Sequence, residues 1–380
     1  MESVRPPVDP PPAPACRLPA AGGREPARPP EPRGRLGRLV HWLEQPVGRM
    51  PFRAHRVRKL VQWGFALWCL LAGYQFHRFV RAARAGELPL PHRPPGVEGF
   101  LPISGLMGLL DWIYRGTLNR VHPAATIVFL VVVATALLLR KGFCGWVCPI
   151  GLLSELLARL GHRLTGRLFV PWRPLDLALR SLKYLLFAFF FWAVLSMDPA
   201  ELAAWIEGPY NRVADIKMYL FFAEIGRTAA LTLGFLALAS LFVRQFWCRY
   251  LCPYGALLGL LAWFSPFRVH RSEGGCTLCH GCDTVCMARI PVSRRRVVDD
   301  RLCSGCLDCL VACPGNDALH FGTARRRIRP VVYALLIVGM FLGGWAVAEL
   351  AGAWRNGIPD REYVERVREI DSPLYMHPGG

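Results

Sequence analysis

The sequence of 380 residues lacks the short motifs that mark nucleotide chemistry and triad catalysis. It contains no phosphate-binding loop, no G-x-G-x-x-G fingerprint and no recognisable catalytic triad. Each of these motifs is needed to place a phosphate or a nucleophile, so nucleotide chemistry and triad hydrolysis are not predicted.

The first 50 residues lack the apolar stretch of a secretory signal peptide. They are rich in Pro, Arg and Ala instead, a composition that buries too little apolar surface to fold. We therefore expect residues 1–56 to form a disordered cytoplasmic arm.

Negative charge is also scarce, with 27 acidic side chains against 46 Lys and Arg and a net charge of +19. The excess is uneven: residues 244–329 carry 13 basic and 6 acidic side chains, whereas residues 198–218 carry 2 and 4. Cytoplasmic loops of membrane proteins are enriched in Lys and Arg, so membrane orientation explains the charge. Contact with membrane lipid is predicted, and a nucleic-acid partner is not.

Hydrophobic residues make up 53% of the chain, which indicates a membrane protein. Five segments are long enough to cross, or nearly cross, a hydrocarbon core of about 30 Å. They are residues 57–77, 123–139, 178–197, 219–243 and 328–350. Shorter apolar runs at 99–110, 150–160 and 255–265 are predicted to be interfacial or re-entrant helices. With the loop charges, five spans place the N-terminus in the cytoplasm and the C-terminal tail on the opposite side.

Eight cysteines repeat the spacing C-x2-C-x2-C-x3-C. The first run is Cys276, Cys279, Cys282 and Cys286, and the second is Cys303, Cys306, Cys309 and Cys313. This spacing is typical of loops that bind a [4Fe–4S] cluster, because each iron takes one soft thiolate ligand. The alternative of two zinc sites fits less well, since zinc ligands usually come as two separated pairs. The sequence therefore predicts a module with two [4Fe–4S] clusters.

In modules of this kind the fourth cysteine of each run ligates the other cluster. Cys276, Cys279, Cys282 and Cys313 are then expected to hold one cluster. Cys303, Cys306, Cys309 and Cys286 are expected to hold the other. The first run departs from the usual form because Met287, rather than proline, follows its last cysteine.

A second cysteine motif, C-x3-C-P, occurs twice. Cys144 and Cys148 follow the second apolar segment, and Cys248 and Cys252 follow the fourth, 104 residues further on. Each motif comes after a basic residue and before a short apolar run. The repeat of helix, cysteine pair and second helix in parallel orientation predicts two halves related by a pseudo-twofold axis.

The spacing leaves three interpretations of these four cysteines open. Residues at i and i+4 lie on one face of a helical turn, so two facing pairs would supply four thiolates for a metal ion or a further cluster. Each pair could instead act as a thiol redox couple. The third interpretation is packing, because free cysteine is a common core residue.

The combination of two C-x3-C-P motifs after membrane helices and two C-x2-C-x2-C-x3-C runs resembles the NapH-type membrane ferredoxins. The same arrangement is found in the C-terminal half of NosR-type proteins and in CcoG-type cytochrome-oxidase assembly factors. The resemblance covers about residues 57–350. It implies electron transfer at the bacterial inner membrane, with NapH-type members regarded as quinol dehydrogenase components.

The resemblance also implies partners and cofactors. A membrane quinone and a redox protein are expected as partners, the latter a cytoplasmic ferredoxin-like protein or a periplasmic cytochrome or reductase. No flavin is expected, because the outer loops are too short for the large flavin-bearing domain of NosR-type proteins. The alternative functions are a maturation factor that reduces or transfers a metal such as copper at the C-x3-C-P thiols, and a membrane redox sensor.

The predicted fold is a polytopic α-helical membrane protein of about five transmembrane helices with an internal parallel repeat and an inserted α+β module of the bacterial ferredoxin type. Its predicted parts are the arm at 1–56, a four-helix region at 57–270, the two-cluster module at 271–325, the last transmembrane helix at 326–350 and an extracytoplasmic tail at 351–380.

Four further ionisable residues lie near predicted helix ends. His77 and His122 are candidates for haem ligation or a hydrogen bond to a quinone, against the common alternative of a solvated interfacial histidine. Glu224 and Arg227, three residues apart, are predicted to pair with each other. The alternative is a proton path for a quinol.

Overall fold

A computed structural model describes residues 51–315 and 318–375, and for residues 51–54 it describes the backbone alone. The predicted N-terminal arm lies almost wholly outside the described residues, and the tail is described as far as Tyr375. The helices are α1 (Pro51–Ala85), α2 (Pro102–Arg115), α3 (Pro123–Leu139), α4 (Pro149–Thr165), α5 (Arg173–Leu195), α6 (Pro199–Glu207), α7 (Pro209–Arg212), α8 (Ala214–Ala223), α9 (Arg227–Phe242), α10 (Pro253–Leu261), α11 (Gly281–Val285), α12 (Asp308–Val311), α13 (Pro330–Leu350) and α14 (Asp360–Arg368).

The strands within the described residues are β1 (Arg268–Arg271), β2 (Val297–Val298) and β3 (Leu319–Gly322). They form one antiparallel sheet in the order β2-β1-β3. Short 3-10 turns cover Pro95–Phe100, Val292–Arg294 and Pro373–Tyr375, and π-helical turns cover Phe143–Val147 and Trp247–Leu251.

Two of the described helices, α5 and α13, are long and apolar enough to cross a membrane. The pair α8 and α9 meets the same criterion only as one span bent by 76°, and α3 is a shorter apolar helix of 17 residues. The predicted segment 57–77 lies within α1, a helix of 35 residues that does not meet the criterion.

The prediction of one continuous helix over residues 219–243 is wrong. The chain leaves helical geometry at Glu224 and is extended at Gly226, which precedes the first residue of α9. The predicted pairing of Glu224 with Arg227 is wrong as well, because the Glu224 carboxylate lies 2.5 Å from a guanidinium nitrogen of Arg84. A long-range ion pair at the bend has replaced the local one.

The internal repeat is visible in the packing. The segment α1, α3, first π turn and α4 corresponds to α5, α9, second π turn and α10. The short helix of each half packs against the apolar helix of the other half, α4 on α9 and α10 on α3. At the first of these contacts a Cβ on Gly161 would overlap the Leu241 carbonyl, so only glycine allows the close approach. Such reciprocal packing is what a pseudo-twofold axis produces.

One hydrophobic core lies at the end of the helices away from the cysteine runs. We call this region the cap, and it comprises residues 86–122, 199–223 and 351–375. Its core includes Phe79 of α1, Leu202, Ile216 and Tyr363. The amphipathic helix α14 buries Tyr363 together with Val364 and Val367, and it packs against α1. The loops of the cap and the described part of the tail therefore fold together.

The eight-cysteine segment forms a small module between α10 and α13, residues 262–329, which we call the cysteine module. Its sheet residues Val269 and Phe321 share one hydrophobic core with Trp146 of the first π turn and with Tyr333 and Ile337 of α13. The module is thus anchored on the membrane helices by a continuous core.

Candidate functional site

Both cysteine runs adopt the same unusual backbone conformation. The third residue of each run, Leu278 or Gly305, and the fifth, His280 or Leu307, have φ between 55° and 64°. Left-handed conformations cost about 1–2 kcal/mol for residues other than glycine, and they persist where the surrounding structure requires them. A short helix follows each pair, α11 or α12, so the two loops are structural copies.

The cysteines are gathered into two groups of four around separate small cavities. Cys276, Cys279, Cys282 and Cys313 line a cavity of about 20 Å³, which we call the first quartet. Cys286, Cys303, Cys306 and Cys309 line another of about 20 Å³, the second quartet. In each quartet three cysteines come from one run and the fourth from the other run. These are the two groups named by the crossed pattern, and their ligation of clusters stays a prediction.

Burial favours the protonated form of the quartet thiols when no metal is bound. Burial raises the pKa of Cys282 to about 12 and that of Cys286 to about 11, so bare thiols would remain protonated at neutral pH. A bound metal removes such protons by coordinating the thiolate. The Ile290 N–H also donates to the Cys286 sulfur over 3.4 Å, a type of contact that tunes cluster potentials.

Among residues 51–315 and 318–375, no three His, Cys, Asp or Glu side chains are close enough to hold a single metal ion. This applies equally to the two quartets and to the C-x3-C-P cysteines. A single tetrahedral ion draws its sulfurs to about 2.3 Å from one centre, whereas the ligands of a cubane each bind a different iron.

The C-x3-C-P motifs lie on the two π turns rather than on α-helical turns. The N–H of Cys148 donates to the Phe143 carbonyl, and that of Cys252 to the Trp247 carbonyl, both over 2.9 Å. The following proline begins α4 or α10, where its missing N–H is not needed. Both motifs thus end in the same way, with the second cysteine at the helix start.

The four C-x3-C-P thiols lie close to one another. The pKa of Cys148 is raised by burial and then by the charges of Cys144, Cys248 and Cys252. Lys141, almost fully buried, lowers the pKa of Cys144 and partly offsets its burial. The structure therefore brings both pairs into one group beside a buried cation.

All four of these cysteines line a large cavity of about 1400 Å³ between the helices. Its wall is mainly apolar and aromatic, with Trp68, Tyr254 and Phe341 among the side chains, and it extends to Phe100 and Trp354 at the cap. Ala288 and Ser304 line this cavity and also the cavity of the second quartet. A single layer of residues separates the two.

The π turns contact the loops of the second quartet directly. Trp146 Nε1 donates to the Gly305 carbonyl over 2.9 Å. Arg249, between Cys248 and Cys252, donates to the Ala288 carbonyl over 2.9 Å. A Cβ on Gly145 would lie 2.7 Å from the Ser304 carbonyl, so the backbones nearly touch. The second quartet is consequently the one beside the C-x3-C-P cysteines.

Arg58 is a connecting residue that the sequence patterns did not reveal. Its side chain donates to the Gly145 carbonyl over 3.0 Å, to Glu155 Oε2 over 2.8 Å and to Asp308 Oδ2 over 2.8 Å. Asp308 stands between Cys306 and Cys309. Burial alone would raise the pKa of Glu155, but Arg58 and Lys59 lower it to about 2. The signal that could have identified Arg58 is its charge at the edge of an apolar segment.

The first quartet lies toward the solvent. Leu278, between two of its cysteines, is 58% exposed, and the neighbouring Thr277 and His280 are exposed as well. Of the two histidines predicted as candidates, His77 is hydrogen-bonded to the Tyr219 hydroxyl over 2.5 Å. His122 is buried in the cap.

Sequence comparison with known proteins finds relatives of this chain. A family model described as a 4Fe-4S binding domain matches residues 121–167 and again residues 227–272. YccM of Escherichia coli (strain K12), named for a presumed role in electron transport, is 39% identical over 292 residues, which are 75% of this chain and 81% of YccM. The chain therefore belongs to the family of membrane-associated ferredoxin-type proteins that includes YccM.

Other members are similar over smaller parts. NirI of Paracoccus denitrificans (strain Pd 1222) is 32% identical over 62% of this chain, and the match spans 34% of NirI. The ferredoxin-type protein NapH of Haemophilus influenzae (strain ATCC 51907 / DSM 11121 / KW20 / Rd) is 26% identical over 50% of this chain and 53% of NapH. The predicted resemblance to NapH-type and NosR-type proteins is confirmed. No solved structure matches the chain.

Family membership settles the general character of the protein. It is an iron–sulfur electron-transport protein of the membrane-associated ferredoxin type. Both segments matched by the family model contain a C-x3-C-P motif and none of the eight module cysteines. The repeat recognised in the sequence is thus also the unit that the family model recognises.

Proposed function

We propose that this family member exchanges electrons between a quinol in the large cavity and a redox protein partner, by way of two [4Fe–4S] clusters. The observation that carries the proposal is the shared wall of Ala288 and Ser304 between the cavity and the second quartet. A hydroquinone in that cavity would stand next to the four C-x3-C-P thiols and one residue layer from a cluster.

The clusters are assigned to the two quartets. Cys276, Cys279, Cys282 and Cys313 hold one, and Cys286, Cys303, Cys306 and Cys309 hold the other. When bound, each cluster takes up and releases one electron at a time. The chain's own contribution is burial, backbone N–H groups directed at sulfur, and the left-handed residues that shape each loop.

The size and lining of the cavity support a quinone. Ligand pockets are mostly apolar and commonly span about 300–1,000 Å³, and a cavity of about 1400 Å³ leaves room for a ring and part of an isoprenoid tail. Aromatic side chains such as Trp68 and Tyr254 offer flat surfaces against which a ring can stack.

The arrangement of the quartets gives an order. The second quartet contacts the π turns and the first quartet is exposed, so the partner protein is expected to dock at the first quartet. A cytoplasmic ferredoxin-like carrier fits this position, and a periplasmic cytochrome or reductase is the alternative. The chain would then serve as the quinol-oxidising component of a larger oxidoreductase.

The membrane arrangement is proposed from sequence length and loop charge. Five spans in a bacterial inner membrane, the fourth formed chiefly by α9, place the N-terminus and the cysteine module in the cytoplasm and the cap outside. The supporting observation is the arginine excess of residues 244–329. Lipid would surround the exposed apolar faces of α5 and α13.

The C-x3-C-P cysteines are proposed to form one site rather than to pack passively. Their mutual proximity, the buried Lys141 nearby and the match of these segments to a 4Fe-4S binding domain support a further cluster. Thiol redox chemistry is the alternative. Reduction or transfer of a metal such as copper at these thiols is a second alternative.

The test is reduction of the purified protein in lipid by menadiol, a soluble hydroquinone, followed by iron and sulfide analysis. Two clusters predict about eight irons, and a third on the C-x3-C-P cysteines predicts about twelve. The variant Cys144→Ala/Cys148→Ala should lose reduction by menadiol while both module clusters remain assembled. Cys69→Ala is the matched control, since Cys69 also lines the cavity but stands apart from the motifs. Retained reduction in the double variant would return these cysteines to a packing role.

A further inference from the structure

Four ionisable side chains are buried together in the cap, where no charge is needed for the electron route. Glu98 and Asp215 are 0% exposed and His122 is 5% exposed. The Arg93 side chain is 8% exposed. Buried charges are costly unless they are paired, so the arrangement of this group calls for a physical explanation.

Arg93 holds the two carboxylates. Its NH2 group lies 2.8 Å from Glu98 Oε1 and 2.7 Å from Asp215 Oδ2, and its Nε donates to the same Asp215 oxygen over 2.9 Å. The guanidinium also lies over the Tyr363 ring at 5.8 Å. One cation therefore faces two anions, and the three groups together carry a buried charge of −1.

The hydrogen bonds of His122 fix where its exchangeable proton belongs. Nε2 lies 2.6 Å from the Asn211 carbonyl oxygen, which can only accept, so Nε2 carries a hydrogen. Nδ1 faces Glu98 Oε1 at 3.6 Å and has no hydrogen-bond partner. A neutral ring would point a bare lone pair at a carboxylate. A proton at Nδ1 turns this repulsion into an ion pair and brings the charge of the group to zero.

The second unpartnered atom is Asp215 Oδ1, which is also buried. Arg93 uses only the other oxygen of this carboxylate, so Oδ1 remains an acceptor directed into the group. A static structural cluster would be expected to use both oxygens. Two buried polar atoms without a protein partner in one group call for a functional role or a bound water.

The group lies directly behind the wall of the large cavity. Glu98 stands between Gly96 and Gly99, and both glycines line the cavity. Its second oxygen accepts from the Ala125 N–H over 3.3 Å, at the start of the helix that supplies Ile127 and Val128 to the same wall. The carboxylate is therefore one layer of backbone from the cap end of the cavity, the end opposite the C-x3-C-P thiols.

We propose that Glu98 and His122 form a buried proton-binding site that exchanges protons with the quinol of the cavity. This rests on the proposed function. Oxidation of a hydroquinone breaks two O–H bonds and releases two electrons and two protons. The electrons go one at a time to the cysteine-bound groups of the proposed route. One proton crosses the cavity to the Glu98–His122 site, and the proton held there leaves to the solvent around the cap. The other proton leaves the quinol directly.

The charged and titratable groups facing the site come from several elements. They are Arg93 and Glu98 before α2, His122 before α3, Asp215 of α8 and Tyr363 of α14. Burial lowers the pKa of His122, but Glu98 and Asp215 outweigh it and raise the pKa above its ordinary value. The charges around His122 therefore favour its protonated form.

The substitution Glu98→Gln is the sharpest variant. It leaves Arg93 and Asp215 as a balanced pair and removes the reason for a proton on His122, so the cap is expected to fold. His122→Gln is the second variant and keeps an N–H donor for the Asn211 carbonyl. His77→Gln is the matched control, because His77 lies at the same end of the helices but bonds only Tyr219 in the described contacts.

Two measurements test the proposal. The first is nitrogen NMR of protein labelled with 15N-histidine in lipid, where the resonance missing from His122→Gln identifies His122. A doubly protonated ring is expected at pH 7 in the unsubstituted protein and a neutral ring in Glu98→Gln. The second compares cluster reduction by menadiol with reduction by dithionite, which delivers electrons without protons. Glu98→Gln should slow reduction by menadiol about 100-fold, the scale of acid–base catalysis, and leave reduction by dithionite and iron content unchanged.

Each outcome decides a specific point. A neutral His122 at pH 7 in the unsubstituted protein overturns the proton-binding site. A protonated His122 with unchanged reduction by menadiol in Glu98→Gln overturns the exchange with the cavity. Equal slowing with dithionite assigns the group a structural role and overturns the proposal. If the unsubstituted protein is not reduced by menadiol, the proposed function fails, while the NMR result still decides whether the site binds a proton.

Discussion

Replacing Arg58 by glutamine removes the cation that joins α1, the first π turn, α4 and the loop of the second quartet. Arg58 is 3% exposed and bonds two carboxylates, Glu155 and Asp308. After the substitution Glu155 keeps Lys59 and Arg159, whereas the described residues leave Asp308 with His55 alone, at 3.6 Å. The uncompensated charge is therefore that of Asp308, next to Cys306 and Cys309.

The magnitude follows from two observations. The pKa of Glu155 is lowered from 4.5 to about 2, and 2.5 units at about 1.4 kcal/mol each give about 3 kcal/mol for all its partners together. Breaking a buried ion pair costs about 3–5 kcal/mol, and the lower end applies because the Asp308 side chain is 16% exposed. We expect Arg58→Gln to lower the free energy of unfolding by about 3 kcal/mol.

The assay is thermal unfolding in lipid, followed by tryptophan fluorescence at one scan rate, with iron release measured in parallel. For a chain of this size a loss of about 3 kcal/mol corresponds to about 4 °C in the midpoint. Because such unfolding is often irreversible, rates at a fixed temperature are compared as well. The EPR signal of the second quartet should be lost before that of the first.

Arg159→Gln provides the matched control. Arg159 bonds the same carboxylate of Glu155 over 2.6 Å, but its side chain is 47% exposed, and exposed pairs contribute less than about 1 kcal/mol. Equal midpoints for the two variants would refute the reasoning that burial makes the Arg58 pair important. So would loss of both EPR signals in parallel, because it would show general unfolding.

The remaining predictions concern the ligands, the orientation and the cap. Cys309→Ala should damage the cluster of the second quartet, and Cys313→Ala should damage that of the first. EPR of the reduced variants tests this, because with uncrossed ligation both substitutions would damage the same cluster. A reporter fused after Gly380 should read as extracytoplasmic and one inserted near Ser272 as cytoplasmic, and a cytoplasmic terminal fusion would contradict the count of five spans. The raised pKa of His122 stabilises the cap fully below pH 6.5, and this contribution is lost as pH rises through the higher folded value. Hydrogen exchange of cap amides should therefore accelerate at alkaline pH more in the unsubstituted protein than in Glu98→Gln, and equal acceleration would contradict the assignment.

Local spacing was sufficient to predict the features that depend on neighbours in the chain. The two C-x2-C-x2-C-x3-C runs, the two C-x3-C-P motifs and the apolar segments each concern residues within one turn, loop or helix. Their chemistry follows from residue type and distance along the chain, because thiolates three residues apart in a tight loop face one centre. The family resemblance, carried by the same motifs, was confirmed for this reason.

The bend at Glu224 was not predictable in the same way. An apolar average over residues 219–243 says nothing about one polar residue whose partner, Arg84, lies 140 positions away. The π turns were also missed as such, because the spacing C-x3-C is compatible with both α-helical and π-helical geometry. In each case a tertiary contact or a local backbone choice decided what the average composition left open.

Composition and short-range order were enough to indicate the candidate thiol ligands, the repeat and the membrane character. Three features depended on the folded chain: which quartet lies beside the C-x3-C-P cysteines, the contact of Arg58 with Asp308 across 250 residues, and the meeting of Glu98, His122 and Asp215 in the cap. The physical reason is that buried charges select partners by distance in space, and folding brings together residues whose separation along the chain carries no signal.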